Sequence, residues 1–497
     1  MKLKIKEIKI KTGGPLVAVM NYKDAEMFDL HQGDRIEVKC GRKKAIAILD
    51  ISLEGGLVNK GYLGVFSEIK ENINVSSGKI VDINIVPKPE SLSFIKKKMD
   101  GGILNKKEIN AIIQDVVDNR LTEFELAFFV AGSYMRPMNE RETIDLTKAM
   151  VRTGDVLNLK EKKIVDKHCI GGVAGNRTTM IVTPIIAAAG LMMPKTSSRS
   201  ITSPAGTADT VEVLCDVSFS MEKIKKILKK ANGCMVWGGA MNLAPADDKI
   251  IKIEHPFDID ARSQLLASIL AKKSSVGATH VLIDIPTGKG SKMENKKQAD
   301  SLKHDFEKIG KKLGMNIKVI FTNGTEPIGN GIGPILEAQD VLFVLRNDPK
   351  APLDLRKKSL KLAGIMLEMV GKAKVGQGER MATNILDTGK AYVKFIEIIK
   401  LQNGKEVIPE DLKPGKYKKD VRAWKTGKVS RIGNREISKI ARIAGAPNDK
   451  GAGIYLYKKK NTYVNKGEIL FTIYANNKDK LKFAVEAHKS IDCFGIK

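Results

Sequence analysis

Two polar loops hold the residues in this sequence that could do chemistry. The first, "DKHCIGGVAGNRTT" at 166–179, follows a short β-branched run ending at Val165 and leads into "TTMIVTPIIAAAG", apolar enough for a buried helix. A strand, a glycine-bearing turn and a helix N-terminus in that order suit an anion. Free backbone N–H groups leave the helix end, and the local dipole favours negative charge. Lys167, His168, Thr178 and Thr179 add donors around that point, although His168 serves equally well as a cap on the strand. The spacing is neither G-x-G-x-x-G nor G-x-x-x-x-G-K-[ST], so neither nucleotide-binding fingerprint accounts for it. A tight turn with incidental polar residues is the bland alternative. The second loop, "KTSSRSITSPAGTADTVEVL" at 195–214, also stands between a strand-like run and a helical one. It offers Ser197, Ser198, Arg199, Ser200, Thr202, Ser203 and Thr207 within a few residues. Two such loops after strands of one sheet converge at its carboxyl edge, where α/β folds bind ligands.

Other candidates are weaker. "TGKGSK" at 287–292 resembles a truncated Walker motif, but it lacks the leading glycine and has Gly290 where a hydroxyl should meet Mg²⁺. Cys169 as a nucleophile needs a nearby base, so packing of a small residue is the simpler reading. Metal-ligand spacing is not evident, and no cofactor is expected.

The elements that must position these loops are legible in the hydrophobic pattern. Residues 1–86 form a small β-rich, barrel-like module with strand runs "KLKIKEIKI", "GPLVAVM", "DRIEVKC", "KKAIAIL" and "KIVDINIV". Residues 87–155 turn helical, with apolar residues at i, i+3, i+4 and i+7, a capping box at Thr122 and Glu125, and a helix start at Asn139. The helical segment 250–275 is expected to return to this domain. Residues 156–410 alternate strands and helices ("KIVDKH", "LMMPKT", "THVLIDIP", "IKVIFTN"), which predicts a large α/β domain with a mixed, mostly parallel sheet. Residues 411–497 switch to short strand runs and predict an α+β C-terminal domain. The fold class is therefore α/β and multidomain.

Composition narrows the partners. The 497-residue chain is 42% hydrophobic and 29% charged, ordinary for a globular protein, but its formal charge of +28 is not. The lysines spread along the whole chain and aromatics are only 5%, too few to interleave as base-stacking platforms. A nucleic-acid polymer is thus disfavoured against a solvated lysine-rich surface and an anionic small substrate. Five cysteines without a C-x-x-C pair fit a reducing cytoplasm. The opening "MKLKIKEIKIKTGG" has no apolar core of a signal peptide, and "MIVTPIIAAAGLMMP" falls short of a membrane span.

"KHCIGGVAGNRTT" with "SSRSITSPAGTADTVE" resembles the paired signature of the thymidine/pyrimidine nucleoside phosphorylase family. "DIDARSQLLASILAKKSSVGATHVLIDIPTGKGSKM", "GTEPIGNGIGPILEAQDVL" and "GAPNDKGAGIYLYKKKNTYVNKGEILFTIYA" extend the likeness over 88–497. With the N-terminal module, the chain is similar to the archaeal AMP phosphorylases of that family. The resemblance implies phosphorolysis of a nucleoside 5′-monophosphate, giving free base and ribose 1,5-bisphosphate, with CMP and UMP as further substrates and a homodimer or higher assembly. It implies phosphate at Lys167, Thr178, Ser197 and Thr207. It implies AMP contacts at Gly172, Ser198, Arg199, Ser200, Ile201, Thr202, Ser203, Thr207, Ser268 and Lys292, and a proton donor at Asp260. Without the resemblance, Asp260 reads as a helix cap or surface carboxylate. The family's nucleoside enzymes face the pyrimidine with residues matching Ser268 and Lys272 and with an arginine where this chain has Ile253. That departure argues against the rival reading, a thymidine or uridine phosphorylase. Cys169 stands where the family commonly has a serine, and Ser200 where it has Gly or Ala. For Arg199 a second reading stays open, a brace paired with Asp209 or Glu212.

Overall fold

The structure is a computed structural model that describes residues 1–11, 16–200, 203–257, 259 and 261–497. The chain forms two compact units, Met1–Gly154 with Ala244–Ala271, and Asp155–Leu243 with Lys272–Lys497.

In the first unit, six strands close a barrel: β1 (Lys2–Glu7), β2 (Val17–Asn21), β3 (Arg35–Cys40), β4 (Lys43–Ser52), β5 (Tyr62–Val65) and β6 (Ile80–Ile85), in the order β1-β5-β2-β4-β3-β6. Alternate residues face inward, among them Leu3 and Ile5, Ala18 and Met20, Ile36 and Val38, and Ala47 and Leu49. Mixing alanine with larger residues fills so narrow an interior without voids. β5 and the short helices Tyr22–Met27 and Ser67–Ile73 escape the sequence pattern because each is under two helical turns or five strand residues long.

Four helices follow, Ser91–Met99, Lys106–Val117, Glu123–Met135 and Glu140–Arg152. The last three begin on capping boxes at Asn105, Thr122 and Asn139. Ala246, Ile250, Ala267 and Ala271 from the later segment join Ile109, Ile112, Phe129 and Leu146 in one apolar cluster. Glu142 is buried there, accepting from Asn139 N–H (2.8 Å), Leu104 N–H (2.9 Å) and Lys98 Nζ (2.9 Å). Arg35 of β3 ties the barrel to these helices, donating to the Arg120 carbonyl (2.9 Å) and pairing with Glu125.

The second unit is built on five parallel strands, β7 (Val165–Cys169), β8 (Met193–Ser197), β9 (Gly233–Trp237), β10 (His280–Thr287) and β11 (Asn316–Asn323). β11-β10-β7 and β8-β9 form ladders, and a parallel bridge between Ile164 and Met192 joins them. Helices Thr178–Ala188, Pro334–Leu345, Leu353–Met369 and Lys390–Leu401 contribute to the core beside this sheet. Coverage of this kind explains why β10 is buried at all but its two end residues and reads as a continuous apolar run. Antiparallel pairing begins at Gly331–Ile332, which leaves the α/β region to join the C-terminal strands Gly453–Leu456, Ile469–Ala475 and Tyr417–Arg422. A further three-stranded sheet and the helices Asn434–Ile443 and Lys478–Ser490 complete the C-terminal part.

Candidate functional site

β7, β8 and β10 run in the same direction, so the loops that follow them leave one edge of the sheet. These are the two loops singled out above and a third, from Gly288, that carries Lys292.

The first loop is shaped by Gly171, Gly172 and Gly175, all at positive φ, where a side chain would be strained. At Gly172 space is decisive as well. A Cβ there would lie 2.4 Å from the backbone nitrogen of Lys292, so the first and third loops touch through a residue without a side chain. The loop ends in the helix Thr178–Ala188, whose N-cap, Arg177, makes no side-chain capping bond. The helix end therefore keeps its dipole available to an anion. Lys167 lies wholly buried beneath it and donates from Nζ to Thr178 Oγ1 at 2.8 Å, and Thr178 in turn donates to Asn176 Oδ1 at 3.1 Å. Burial pushes the Lys167 ammonium below its usual range, and Asp284 works against that shift. Asp284 is itself buried, accepting from Thr322 Oγ1 (2.6 Å) and pairing with Lys358 (3.0 Å).

Beside Lys167, burial and the surrounding Lys273, Lys195, Lys167 and Lys272 hold the His168 imidazole well below its ordinary pKa, hence neutral. Cys169 receives a hydrogen bond from Asn176 Nδ2 (3.2 Å), and burial raises its thiol pKa. A half-buried thiol with a raised pKa suits packing and not nucleophilic attack.

The second loop is held from within. Asp209 accepts from the N–H groups of Ser200 (2.7 Å) and Gly206 (2.8 Å). Ser200 Oγ bonds the Ser203 carbonyl, and Ser203 Oγ the Ala205 carbonyl at 2.9 Å. Arg199 makes a two-pronged pair with Glu212, reaches Asp209 at 3.4 Å, and lies over the Trp237 ring at 4.9 Å. Hydrogen bonding from Arg199, reinforced by Lys450, holds the Glu212 carboxyl at about 2. Of the two readings left open for Arg199, the geometry thus displays the brace. Thr207 begins the following short helix and accepts from Arg177 at 3.3 Å, and Arg177 also pairs with buried Glu337. Ser197 ends β8, half-buried, while Ser198 is exposed.

Lys167, Thr178, Ser197, Thr207, Gly172, Ser198, Arg199, Ser200, Ser203 and Lys292 therefore all belong to the strands, loops and helix starts along one sheet edge of the second unit. Ser268 is half-buried on the helix Arg262–Ser275 and belongs to the first unit, where Ile253 also packs on the helical core. Ile201, Thr202 and Asp260 lie outside the described residues. Sequence reasoning missed Asp166, Lys195, Lys273 and Arg177, each buried and charged within or beside these loops. The available signal, for Asp166, was an acid directly beside a lysine within a short strand.

Three family models match the chain: a glycosyl transferase family helical bundle domain at 92–154, a glycosyl transferase family a/b domain at 161–262, and a pyrimidine nucleoside phosphorylase C-terminal domain at 428–493. Its class is thereby a glycosyl transferase with a phosphorylase-type C-terminal domain. AMP phosphorylases from Methanocaldococcus jannaschii and Thermococcus kodakarensis are 44% and 46% identical over 98% of this chain, covering 95% and 96% of their own lengths. The chain belongs to the AMP phosphorylase family. Anthranilate phosphoribosyltransferase from Thermus thermophilus shares the fold, with a TM-score of 0.52 at 16% identity, over 62% of this chain and 99% of that one. Among the described residues, no helix is long and apolar enough to cross a membrane.

Proposed function

We propose that this protein cleaves nucleoside 5′-monophosphates with inorganic phosphate, AMP giving adenine and ribose 1,5-bisphosphate, with CMP and UMP as further substrates. The observation that carries the reading is the buried Lys167–Thr178 pair at an uncapped helix N-terminus. An ammonium, hydroxyls and N–H groups hold phosphate by charge-assisted bonds without making it covalent. Lys167, Thr178, Ser197 and Thr207 take that phosphate. Gly172, Ser198, Ser200, Ile201, Thr202, Ser203, Thr207, Ser268 and Lys292 take the nucleotide. Arg199, committed to Glu212 and Trp237, serves the nucleotide by fixing the loop. Asp260 protonates the departing base, on which negative charge builds as the glycosidic bond opens. Ile253 packs against apolar neighbours where the family's nucleoside enzymes place an arginine, which argues against recognition confined to pyrimidines.

The enzyme works as a homo-oligomer in the cytoplasm. Phe124, Phe128 and Met135 project from one helix with exposures of 82%, 54% and 74%, an apolar face suited to a second copy. Incubation with phosphate and, separately, AMP, CMP, UMP, adenosine and thymidine, followed by identification of the released bases, tests the function. Release of adenine from AMP well ahead of adenosine and thymidine is expected. Thymine release ahead of adenine would return the chain to the nucleoside phosphorylases.

A further inference from the structure

Behind the phosphate loop lies a cluster that the proposed chemistry does not use. Asp166 precedes Lys167 on β7 and is fully buried. Its Oδ2 accepts from Lys273 Nζ at 2.6 Å, and its Oδ1 from the Lys167 backbone N–H at 2.6 Å, with Lys195 Nζ 3.5 Å away. Lys195 donates to the Thr196 carbonyl at 2.6 Å. The side chains of Lys273 and Lys195 are 3% and 6% exposed. One carboxylate thus joins the strand that carries the phosphate lysine to the helix end that carries Lys272 and Lys273.

Two further bonds fix that helix end, Ala278 N–H to the Lys273 carbonyl (3.0 Å) and Leu157 N–H to the Ser275 carbonyl (2.8 Å). A buried ion pair of this kind adds little net stability, since desolvation offsets the attraction and a well-packed apolar pair does as well. What an apolar pair cannot supply is direction. A 2.6 Å charge-assisted bond holds its partners in a defined geometry.

We propose that Asp166 and Lys273 are positioning residues that set the spacing between Lys167, which holds phosphate, and the helix end bearing Lys272, the position from which the family's nucleoside enzymes face the base. The inference rests on the reading of the site given above. Asp166 and Lys273 touch neither substrate. They hold the two lysines in register, so that bound phosphate meets the anomeric carbon along the line of the bond being broken. A displacement of about 1 Å in such an arrangement lowers turnover on the order of 100-fold while leaving each substrate its own binding contacts.

The test compares wild type with Asp166→Asn, Lys273→Gln and the double variant, measuring kcat and both KM values for AMP and phosphate alongside thermal unfolding. Expected are folded single variants whose kcat falls about 10- to 100-fold with both KM values within about threefold. The double variant is expected to be no slower than the slower single one, because the pair acts as one device. If Asp166→Asn fails to fold, Lys273→Gln decides, since it leaves Asp166 paired with Lys195. Folded variants with unchanged kcat, or losses that multiply in the double variant, overturn the positioning role. A Lys167→Ala control separates the two layers. If it leaves the phosphate KM unchanged, or if wild type releases no base from AMP, the reading of the site falls and the positioning role with it.

Discussion

Each charged side chain at the sheet edge has a role that its surroundings decide. Lys167 is buried under a helix end with a hydroxyl as its hydrogen-bond partner, so removing it takes charge from the anion site directly. Lys167→Ala is expected to raise the KM for phosphate more than the KM for AMP in steady-state kinetics. Equal changes would assign it a structural part. Asp260→Asn is expected to lower turnover by about 10²–10⁴ while AMP binding measured by calorimetry stays near that of wild type. Near-normal turnover would remove the proton donor. Lys195 offers a different handle. Burial lowers its amine to about 7, with Asp166 opposing and Lys273 and Lys167 reinforcing the shift. Between pH 7 and the ordinary 10.5, the unfolded chain binds a proton that the folded chain refuses, so this lysine makes stability rise with pH across that window. Below pH 7 both states are protonated and its contribution is flat. In urea unfolding, wild type should gain on Lys195→Met between about pH 7 and pH 10, and parallel curves would refute the assignment.

At the level of elements, the helices of the first unit are specified locally and locked by one buried carboxylate. Glu142 closes the capping box of its own helix and also receives Leu104 N–H and Lys98, so Glu142→Ala orphans three donors at once. A loss of about 3–5 kcal/mol in denaturant unfolding is expected, the range for leaving a buried charge uncompensated. Thr122, Glu125 and Asn139 were legible as caps because capping is a short-range contract between neighbouring side chains and N–H groups. The strand runs before the two loops were legible from their apolar starts at 164–165 and 191–193 and from the polar, turn-forming residues after them. β5 and β9 were not, since "YLGV" and "GCMVW" owe their strand state to partners far along the chain. Asp166 was missed on similar grounds. Lys273 lies 107 residues beyond it, a distance over which no local pattern carries information. Arg199 was legible as a candidate, but its commitment to Glu212 and Trp237 required coordinates.

For the molecule as a whole, the apolar face on Glu123–Met135 carries the prediction. Phe128→Glu should shift the mass measured by light scattering toward the monomer while leaving the melting temperature of the fold nearly unchanged; an unaltered mass would move the interface elsewhere. The topology of the second unit has a consequence in time as well as in space. β7, the strand of Lys167, pairs along one side with β10, and the hydrogen bond from Ile164 to Thr279 spans 115 residues. Translation adds roughly 5–20 residues per second, so the nascent β7 waits roughly 6–23 s before that neighbour leaves the ribosome. Throughout that interval the strand edge that β10 will cover stands open to other chains. The strand that bears Lys167 is thus one whose open edge a chaperone would have to shield while the protein is being made.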